Sequence, residues 1–284
     1  MTRHAFLCGL IGAGIQDSRS PALHEREAEA HGLRYEYRLI DLEHLGVGAE
    51  ALPRLLDEAE QAGFVGLNIT YPCKQVVIPL LDELSGEARA LGAVNTVVIR
   101  DGKLIGHNTD CSGFAEGFRR GLPGAKLDRV VLLGAGGAGA AVAHAALALG
   151  VTELRIFDID AARSGELAGR LSRQFGGGRA IAVADLTDSM AVADGLIHCT
   201  PTGMAKSPGL ALDAGLLQPS HWVAEIVYFP FETELLHVAR AKGCRTLDGG
   251  GMAVFQAVGA FRLFSGVEPD AERMLRHFRS MLGA

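Results

Sequence analysis

The stretch VVLLGAGGAGAAVAHAALALGVTELRIFD, residues 130–158, decides the fold. A short apolar run opens into a Gly-rich turn, an alanine-rich helix follows, and a second apolar run ends in an acid. This strand–turn–helix–strand order, with glycines at 134, 136 and 139, matches the dinucleotide-binding fingerprint G-x-G-x-x-G. Gly134 permits the tight turn out of the strand. Gly136, lacking a Cβ, lets a pyrophosphate approach the backbone, with Gly137 and Ala138 completing the loop. Gly139 lets the helix pack close to the strand. The free N–H groups and positive dipole end of that helix then face the phosphates. Asp158 stands 19 residues after Gly139, where a carboxylate can accept hydrogen bonds from both adenosine ribose hydroxyls. The same carboxylate would repel a 2′-phosphate, so the unit predicts NAD over NADP. A Gly-rich loop alone would carry little. Strand, helix, second strand and acid in one register carry the assignment.

A length of 284 residues suggests one large or two medium domains. With 48% apolar and 21% charged residues, the chain can fill an ordinary globular core. The net charge of −6 gives no reason to expect nucleic acid or an anionic membrane as a partner. The five cysteines, Cys8, Cys73, Cys111, Cys199 and Cys244, are odd in number and lack C-x-x-C spacing, so they read as reduced thiols of a cytoplasmic protein. No leader peptide or membrane span is expected. No His/Cys/Asp group has ligand spacing, so no metal is expected.

Outward from the central stretch, the pattern predicts an α/β fold. An N-terminal α/β substrate domain spans residues 1–110. A Rossmann-type, doubly wound dinucleotide domain spans 111–248. Two helices over 249–284 return to the N-terminal domain. Within the first domain the pattern predicts strands at 7–11, 35–42, 66–70 and 93–98, helices from Ser20 to His31, at 52–62 and at 76–84, and a hairpin turn at Asp101-Gly102. Ser20 is the expected N-cap, with Pro21 at the first helical position. A helix is expected at 112–121, and Gly249-Gly250-Gly251 is expected to break the chain.

Three strand-end loops of the first domain are polar beyond what packing needs. They carry Ser18 and Ser20; Asn68, Thr70 and Lys74; and Asn95 with Asn108, Thr109 and Asp110. Hydroxyls, amides, one ammonium and one carboxylate suit a polyhydroxylated, anionic small molecule. The serines could take its carboxylate at a helix N-terminus. A nicotinamide enzyme also needs a group that moves a proton as the hydride moves. Lys74 is the candidate proton carrier and Asp110 its orienting partner. Taken singly, Lys74 reads as a surface lysine and Asp110 as a helix cap.

The sequence resembles the shikimate/quinate dehydrogenase family over essentially its whole length. The likeness rests on SRSPALH (18–24), GLNITYPCK (66–74), LGAVNTV (91–97), GHNTD (106–110), GAGGAG (134–139), CTPTGM (199–204) and DGGGMAVFQA (248–257). It is most similar to the NAD-linked quinate/shikimate branch, in DID (158–160), HWV (221–223), VYFP (227–230) and AFRLF (260–264). The resemblance implies that Ser18 and Ser20 hold the substrate carboxylate and that Asn68, Thr70, Asn95 and Gln256 bind hydroxyls. It implies that Lys74 and Asp110 are the catalytic pair, with Tyr228 beside the substrate. Val227, Gly251 and Met252 would lie near the nicotinamide, with Thr200 and Thr202 in the adjoining loop. NADP-preferring relatives carry a basic triplet where this chain has Asp158-Ile159-Asp160. Arg163 nearby could stack on adenine and leave room for weaker NADP use. Position 20 is Ser, where quinate-using relatives can have Thr, and Phe255 is His in some relatives.

The expected activity is NAD-dependent interconversion of shikimate, with quinate as a second candidate, and its 3-dehydro ketone. Two alternatives stand beside it. One is a dehydrogenase for a substituted shikimate such as aminoshikimate. The other is a non-catalytic NAD- or metabolite-sensing homologue. Symmetric pairs are the commonest assemblies, which makes a homodimer the plausible state.

Overall fold

The computed structural model describes residues 5–281, and the chain divides into two compact units. Among the described residues, the first comprises 5–109 and 254–281, the second 110–253. The chain therefore crosses between units at the Thr109–Asp110 peptide. It crosses back inside one helix, between Ala253 and Val254, just past the expected glycine break at 249–251.

The first unit begins with β1 (Ala5–Gly12), α1 (Ser20–Ala30), β2 (Arg34–Asp41), α2 (Leu42–Leu45) and α3 (Leu52–Gln61). It continues with β3 (Gly66–Ile69), α4 (Cys73–Val76), β4 (Glu83–Leu84), α5 (Gly86–Leu91), β5 (Thr96–Arg100) and β6 (Lys103–His107). The sheet order is β2-β1-β3-β5-β6-β4. Strands β1, β2 and β3 are parallel, while β5 runs antiparallel to both β3 and β6. The expected Asp101-Gly102 turn is present, with φ of 53° and 70°, the left-handed pair of a type I′ hairpin.

Three local expectations fail for physical reasons. The helix expected at 76–84 is a short turn at Cys73–Val76, a 3-10 turn at Ile78–Leu80 and the two-residue β4. Pro79 has no N–H for a continuous helix. The N-cap of α1 is Arg19, not Ser20, which is the first helical residue; the Ser18 hydroxyl accepts from the Ser20 N–H at 3.3 Å. The strand expected at 93–98 begins at Thr96, because Val94 N–H donates to the Lys74 carbonyl instead of a strand neighbour.

The second unit comprises α6 (Asp110–Gly121), β7 (Arg129–Leu133), α7 (Gly137–Ala148), β8 (Glu153–Phe157), α8 (Ala161–Phe175), β9 (Ala180–Ala182) and α9 (Leu186–Ala191). Then follow β10 (Gly195–His198), β11 (Trp222–Glu225), α10 (Glu234–Ala241) and β12 (Arg245–Leu247). The sheet order β12-β11-β10-β7-β8-β9 is parallel throughout, which is the doubly wound order with its reversal between β7 and β10. Strand β7 is buried from Val130 to Leu133, and α7 buries eight residues, five of them alanines, so helix and strand can approach closely. Gly195 has a similar reason: a Cβ there would lie 2.1 Å from the Trp222 ring.

Helix α11 (Gly250–Ser265) starts within the triple glycine, and α12 (Ala271–Met281) follows. From Val254 onward both belong to the first unit. Phe264 lies over Gly66, where a Cβ would come within 2.1 Å of the ring. Phe261 stacks on Tyr35 at 5.6 Å. Arg273 of α12 grips the buried Glu27 of α1 with two bonds, at 2.8 and 2.7 Å. Among the described residues no helix is long and apolar enough to cross a membrane, and no His/Cys/Asp/Glu group is placed to hold a metal ion.

His24 of α1 lies in this packing, 1% exposed, among Tyr35, Tyr37, Phe261 and Phe264, and burial lowers its pKa to about 3. Below its ordinary value of 6.5 the unfolded chain binds a proton that the folded chain refuses. Stability is therefore full above that pH and falls as pH drops toward 3, by about 1.4 kcal/mol per unit. His24→Gln is expected to flatten the fall of melting temperature over this window. An unchanged slope would refute His24 as the source.

Candidate active site

Register places the polar residues of the first unit along one edge of its sheet. Asn68 of β3 pairs with Thr96 of β5, and Thr96 pairs with His107 of β6. The loops after β1, β3 and β6 and the segment before β5 therefore leave at the same end. Gly12 ends β1 under the next loop, where a Cβ would meet the Thr70 methyl at 2.2 Å. The Tyr71–Pro72 peptide that follows Thr70 is cis.

A continuous buried hydrogen-bond array joins these segments. The Ser20 hydroxyl is hydrogen-bonded to the Tyr37 phenol. Tyr37 donates to Asn68 Oδ1 at 2.8 Å, and Asn68 Nδ2 donates to the Asn95 carbonyl and to Thr96 Oγ1. Asn95 Oδ1 accepts from Thr109 N and Thr96 Oγ1, and its Nδ2 donates to Thr109 Oγ1 and Gln256 Oε1. The array has two open positions. Asn68 has both amide hydrogens committed and one lone pair left, so it offers an acceptor. Gln256 has its oxygen occupied by Asn95, so it offers N–H donors. Asn95 has its donors and acceptors engaged within the protein, which makes it the node that orients Gln256, Thr96 and Thr109. Burial, then the charge of Cys8, pushes the Tyr37 phenol well above its ordinary value despite the Ser20 bond, so it stays a donor.

The loop carrying Ser18 and Ser20 is fastened from β2. The buried Asp41 carboxylate accepts from Gly14 N, Ile15 N, Gln16 Nε2 and Glu43 N, at 2.9 to 3.0 Å. Burial would raise its pKa, but these four donors hold it below the usual carboxylate range. Lys74 lies half-buried in α4, whose position is set by the bond from Val94 N to the Lys74 carbonyl and by Cys73 N on the Thr70 carbonyl. The neighbouring Cys73 thiol is pushed up to about 11 by burial, which leaves it no nucleophilic role at neutral pH.

In the second unit Asp110 is the first residue of α6, buried at 4% exposure. It sits near enough to Tyr228 that, after burial, its charge raises the phenol's pKa. The Gly-rich turn fits a phosphate. Gly134 has φ of 97°. A Cβ at Gly139 would stand 2.0 Å from the Gly134 carbonyl oxygen, so close helix–strand packing needs that glycine. Gly136 differs: its backbone, at φ −72° and ψ −168°, suits any residue, and a Cβ there meets no atom within 4 Å. Neither does one at Gly137. The protein leaves this space at the N-terminus of α7, whose first-turn N–H groups have no helical acceptor. Asp158, directly after β8, accepts from Ala135 N at 2.7 Å and Asp160 N at 2.9 Å. Exposed Arg163 pairs with Asp160 at 3.2 Å. Thr200 and Thr202 follow β10, Val227 and Tyr228 follow β11, and Gly251 and Met252 open α11. Gly117 of α6 packs against Gly251, where a Cβ would meet its backbone at 3.3 Å.

Sequence reasoning missed Asp41, Tyr37, Glu225 and the role of His198. The Tyr35-Glu36-Tyr37 alternation did put both phenols on one face. Nothing local marked Asp41 or Glu225, since a strand-terminal acid acquires meaning only from the neighbouring loop.

A family model described as the shikimate dehydrogenase substrate binding domain matches residues 10–97. The NADP(+) shikimate dehydrogenase of Streptomyces avermitilis is 60% identical, covering 100% of this chain and 98% of that one. The NAD(+) quinate/shikimate dehydrogenase of Corynebacterium efficiens is 50% identical over 99% of this chain and 100% of its own. The structure of quinate dehydrogenase from Corynebacterium glutamicum in complex with NAD superposes with a TM-score of 0.91, at 51% identity, covering 97% of this chain and 99% of that one.

Two glycines of the turn separate stability from binding. Gly136→Ala is expected to melt within about 2 °C of wild type, yet to weaken NADH about tenfold or more. Gly139→Ala is expected to lower stability by about 1–3 kcal/mol through the forced overlap with Gly134. Thermal melts and NADH fluorescence titration check both. Undiminished NADH binding by Gly136→Ala would remove the turn from the phosphate site.

Proposed function

Because the chain belongs to the shikimate dehydrogenase family, we propose that it oxidises shikimate reversibly at the ring hydroxyl that becomes the 3-dehydro ketone, with NAD as the preferred dinucleotide. The observation that carries the substrate reading is the open Asn68 acceptor beside the open Gln256 donor, both fixed by the Asn95 node. Each hydroxyl of a polyol is donor and acceptor at once, so a wall offering both polarities suits it. Ser18 and Ser20, at the start of α1, hold the carboxylate, aided by the helix terminus. Thr70 adds a further hydroxyl contact.

Lys74 accepts the proton of the reacting hydroxyl during oxidation and returns it during reduction. Asp110 orients the Lys74 side chain and shares that hydroxyl, with Tyr228 beside the substrate. The Gly-rich turn would hold the oxidised dinucleotide, which would supply the hydride acceptor for the same carbon. Thr200, Thr202, Val227, Gly251 and Met252 line its nicotinamide end in this reading. Quinate, which differs at C1, meets Ser20 without the methyl of a threonine, so shikimate is the better substrate.

The relatives' names divide between the two dinucleotides, and Asp158 supports NAD for this chain. Its oxygens are anchored by Ala135 N and Asp160 N, which aims the carboxylate and still leaves each oxygen a lone pair for a ribose hydroxyl. A 2′-phosphate there would face a fixed negative charge. Arg163, committed to Asp160, offers it little compensation.

A two-by-two assay, shikimate and quinate each with NAD and NADP, tests the assignment. The highest kcat/KM is expected for shikimate with NAD. Lys74→Ala is expected to lower kcat about a thousandfold with little change in NAD affinity, and near-wild-type turnover would sink its role. Asp158→Ala is expected to raise the KM for NAD about tenfold and to favour NADP relatively. A wild type that already prefers NADP would overturn the reading of Asp158.

A further inference from the structure

A buried polar cluster at the ends of β10 and β11 takes no direct part in the chemistry above. Glu225 closes β11 with a side chain that is 0% exposed. Its Oε1 accepts from His198 Nδ1 at 2.8 Å, from Ile226 N at 2.8 Å and from Val227 N at 3.0 Å. Its Oε2 accepts from Thr233 Oγ1 at 3.0 Å, and the same Thr233 oxygen caps α10 at Leu236 N. His198 closes β10, and its Nε2 lies 2.6 Å from Thr200 Oγ1. Thr200 Oγ1 in turn accepts from Thr202 N at 3.2 Å.

Stability alone gives no reason for this cluster. A buried acid and imidazole are costly to desolvate, and an apolar pair of similar volume would pack the sheet at least as well. What the cluster does achieve is placement. From one carboxylate it fixes the backbone at Ile226 and Val227 and, through the imidazole, the loop after β10. Gly249 presses on the first segment from outside, since a Cβ there would come within 2.4 Å of the Ile226 carbonyl. The second segment abuts the Gly-rich turn: a Cβ at Gly134 would meet the Cys199 carbonyl at 2.6 Å and the Thr200 methyl at 3.0 Å. Thr200 therefore stands against the turn at the point where the strand order reverses.

The donor pattern commits all but one position of the Thr200 hydroxyl. A carboxylate only accepts, so His198 Nδ1 carries the hydrogen toward Glu225. Nε2 and the Thr200 hydroxyl share one hydrogen between them. With Thr202 N on one lone pair, Thr200 keeps a single hydrogen-bonding position.

We propose that His198 and Glu225 are positioning residues for the dinucleotide. They hold the Thr200 hydroxyl against the Gly-rich turn and fix the Ile226–Val227 backbone, without touching substrate or cofactor. This rests on the dinucleotide-binding reading above. The test is a double-mutant cycle on the full chain, with His198→Asn, Thr200→Val and the pair, read by NADH titration and by steady-state kinetics. Each single variant is expected to weaken NADH about tenfold while the KM for shikimate at saturating NAD stays within about threefold of wild type. The double variant is expected to be no weaker than the weaker single, because both remove one interaction. Folded single variants that bind NADH like wild type, or effects that multiply in the pair, would overturn the proposal. Should His198→Asn fail to fold, Thr200→Val and Thr200→Ser remain: serine restores the hydroxyl and should restore binding, and its failure to do so overturns the proposal. A wild type that binds NADH but leaves shikimate unoxidised fails the substrate reading alone, because the cycle is read on binding. A wild type that binds no NADH fails both.

Discussion

One interaction occurs twice, and a third time in modified form, and positions several polar loops of this protein. A carboxylate at the end of one parallel strand accepts backbone N–H groups from the loop that leaves the neighbouring strand. Asp41 at the end of β2 holds Gly14 and Ile15 after β1. Asp158 after β8 holds Ala135 after β7. Glu225 at the end of β11 holds its own continuation and reaches the loop after β10 through His198. A loop at a strand end has lost its ladder partners, and a buried or half-buried acid replaces them with charge-assisted bonds. The loops so held carry Ser18 and Ser20, the Gly-rich turn, Thr200 and Val227.

The same device explains why the fold tolerates buried charge. Asp41 takes four donors and Glu225 four, so neither carboxylate meets its desolvation cost unaided. Glu27 follows a related logic at α1. Burial would raise its pKa, but Arg273, the Asp270 N–H and His31 hold it below its ordinary value, and the C-terminal helix is thereby fixed to the first unit. Apolar packing defines where elements lie, and these acids define where their ends point.

Glycines mark the complementary constraint. Gly139, Gly66 and Gly195 are required by the protein itself, since a Cβ would overlap the Gly134 carbonyl, the Phe264 ring and the Trp222 ring. Gly136 and Gly137 are not, since a Cβ at either meets nothing. A glycine whose absent side chain faces open space at a helix N-terminus is explained by what approaches from outside. The fingerprint spacing separates the two classes at Gly136 and Gly139, whereas Gly66 and Gly195 declare their reason only when the neighbouring atoms are known.

Local sequence information was enough for the doubly wound second unit and the place of the Gly-rich turn. Strand and helix periods and turn chemistry are properties of short segments, which is why they can be read there. The return of the C-terminal helices to the first unit was legible as well. The errors were local too: Pro79 cut short the helix expected at 76–84, Arg19 took the N-cap position expected of Ser20, and the triple glycine began a helix instead of breaking one. Which side chain orients which was settled only by the folded arrangement. Asn95 became a node rather than an open amide because β5 is antiparallel to both β3 and β6, which brings Asn68, Thr96 and Thr109 to one edge. Tyr37, Asp41 and Glu225 acquired roles because parallel register sets each beside a loop far away in the chain. Such partners, 25 to 27 residues away for Asp41 in the loop after β1 and 31 for Tyr37 at Asn68, leave no periodic trace in the sequence, since the contact is made by the sheet and not by the segment.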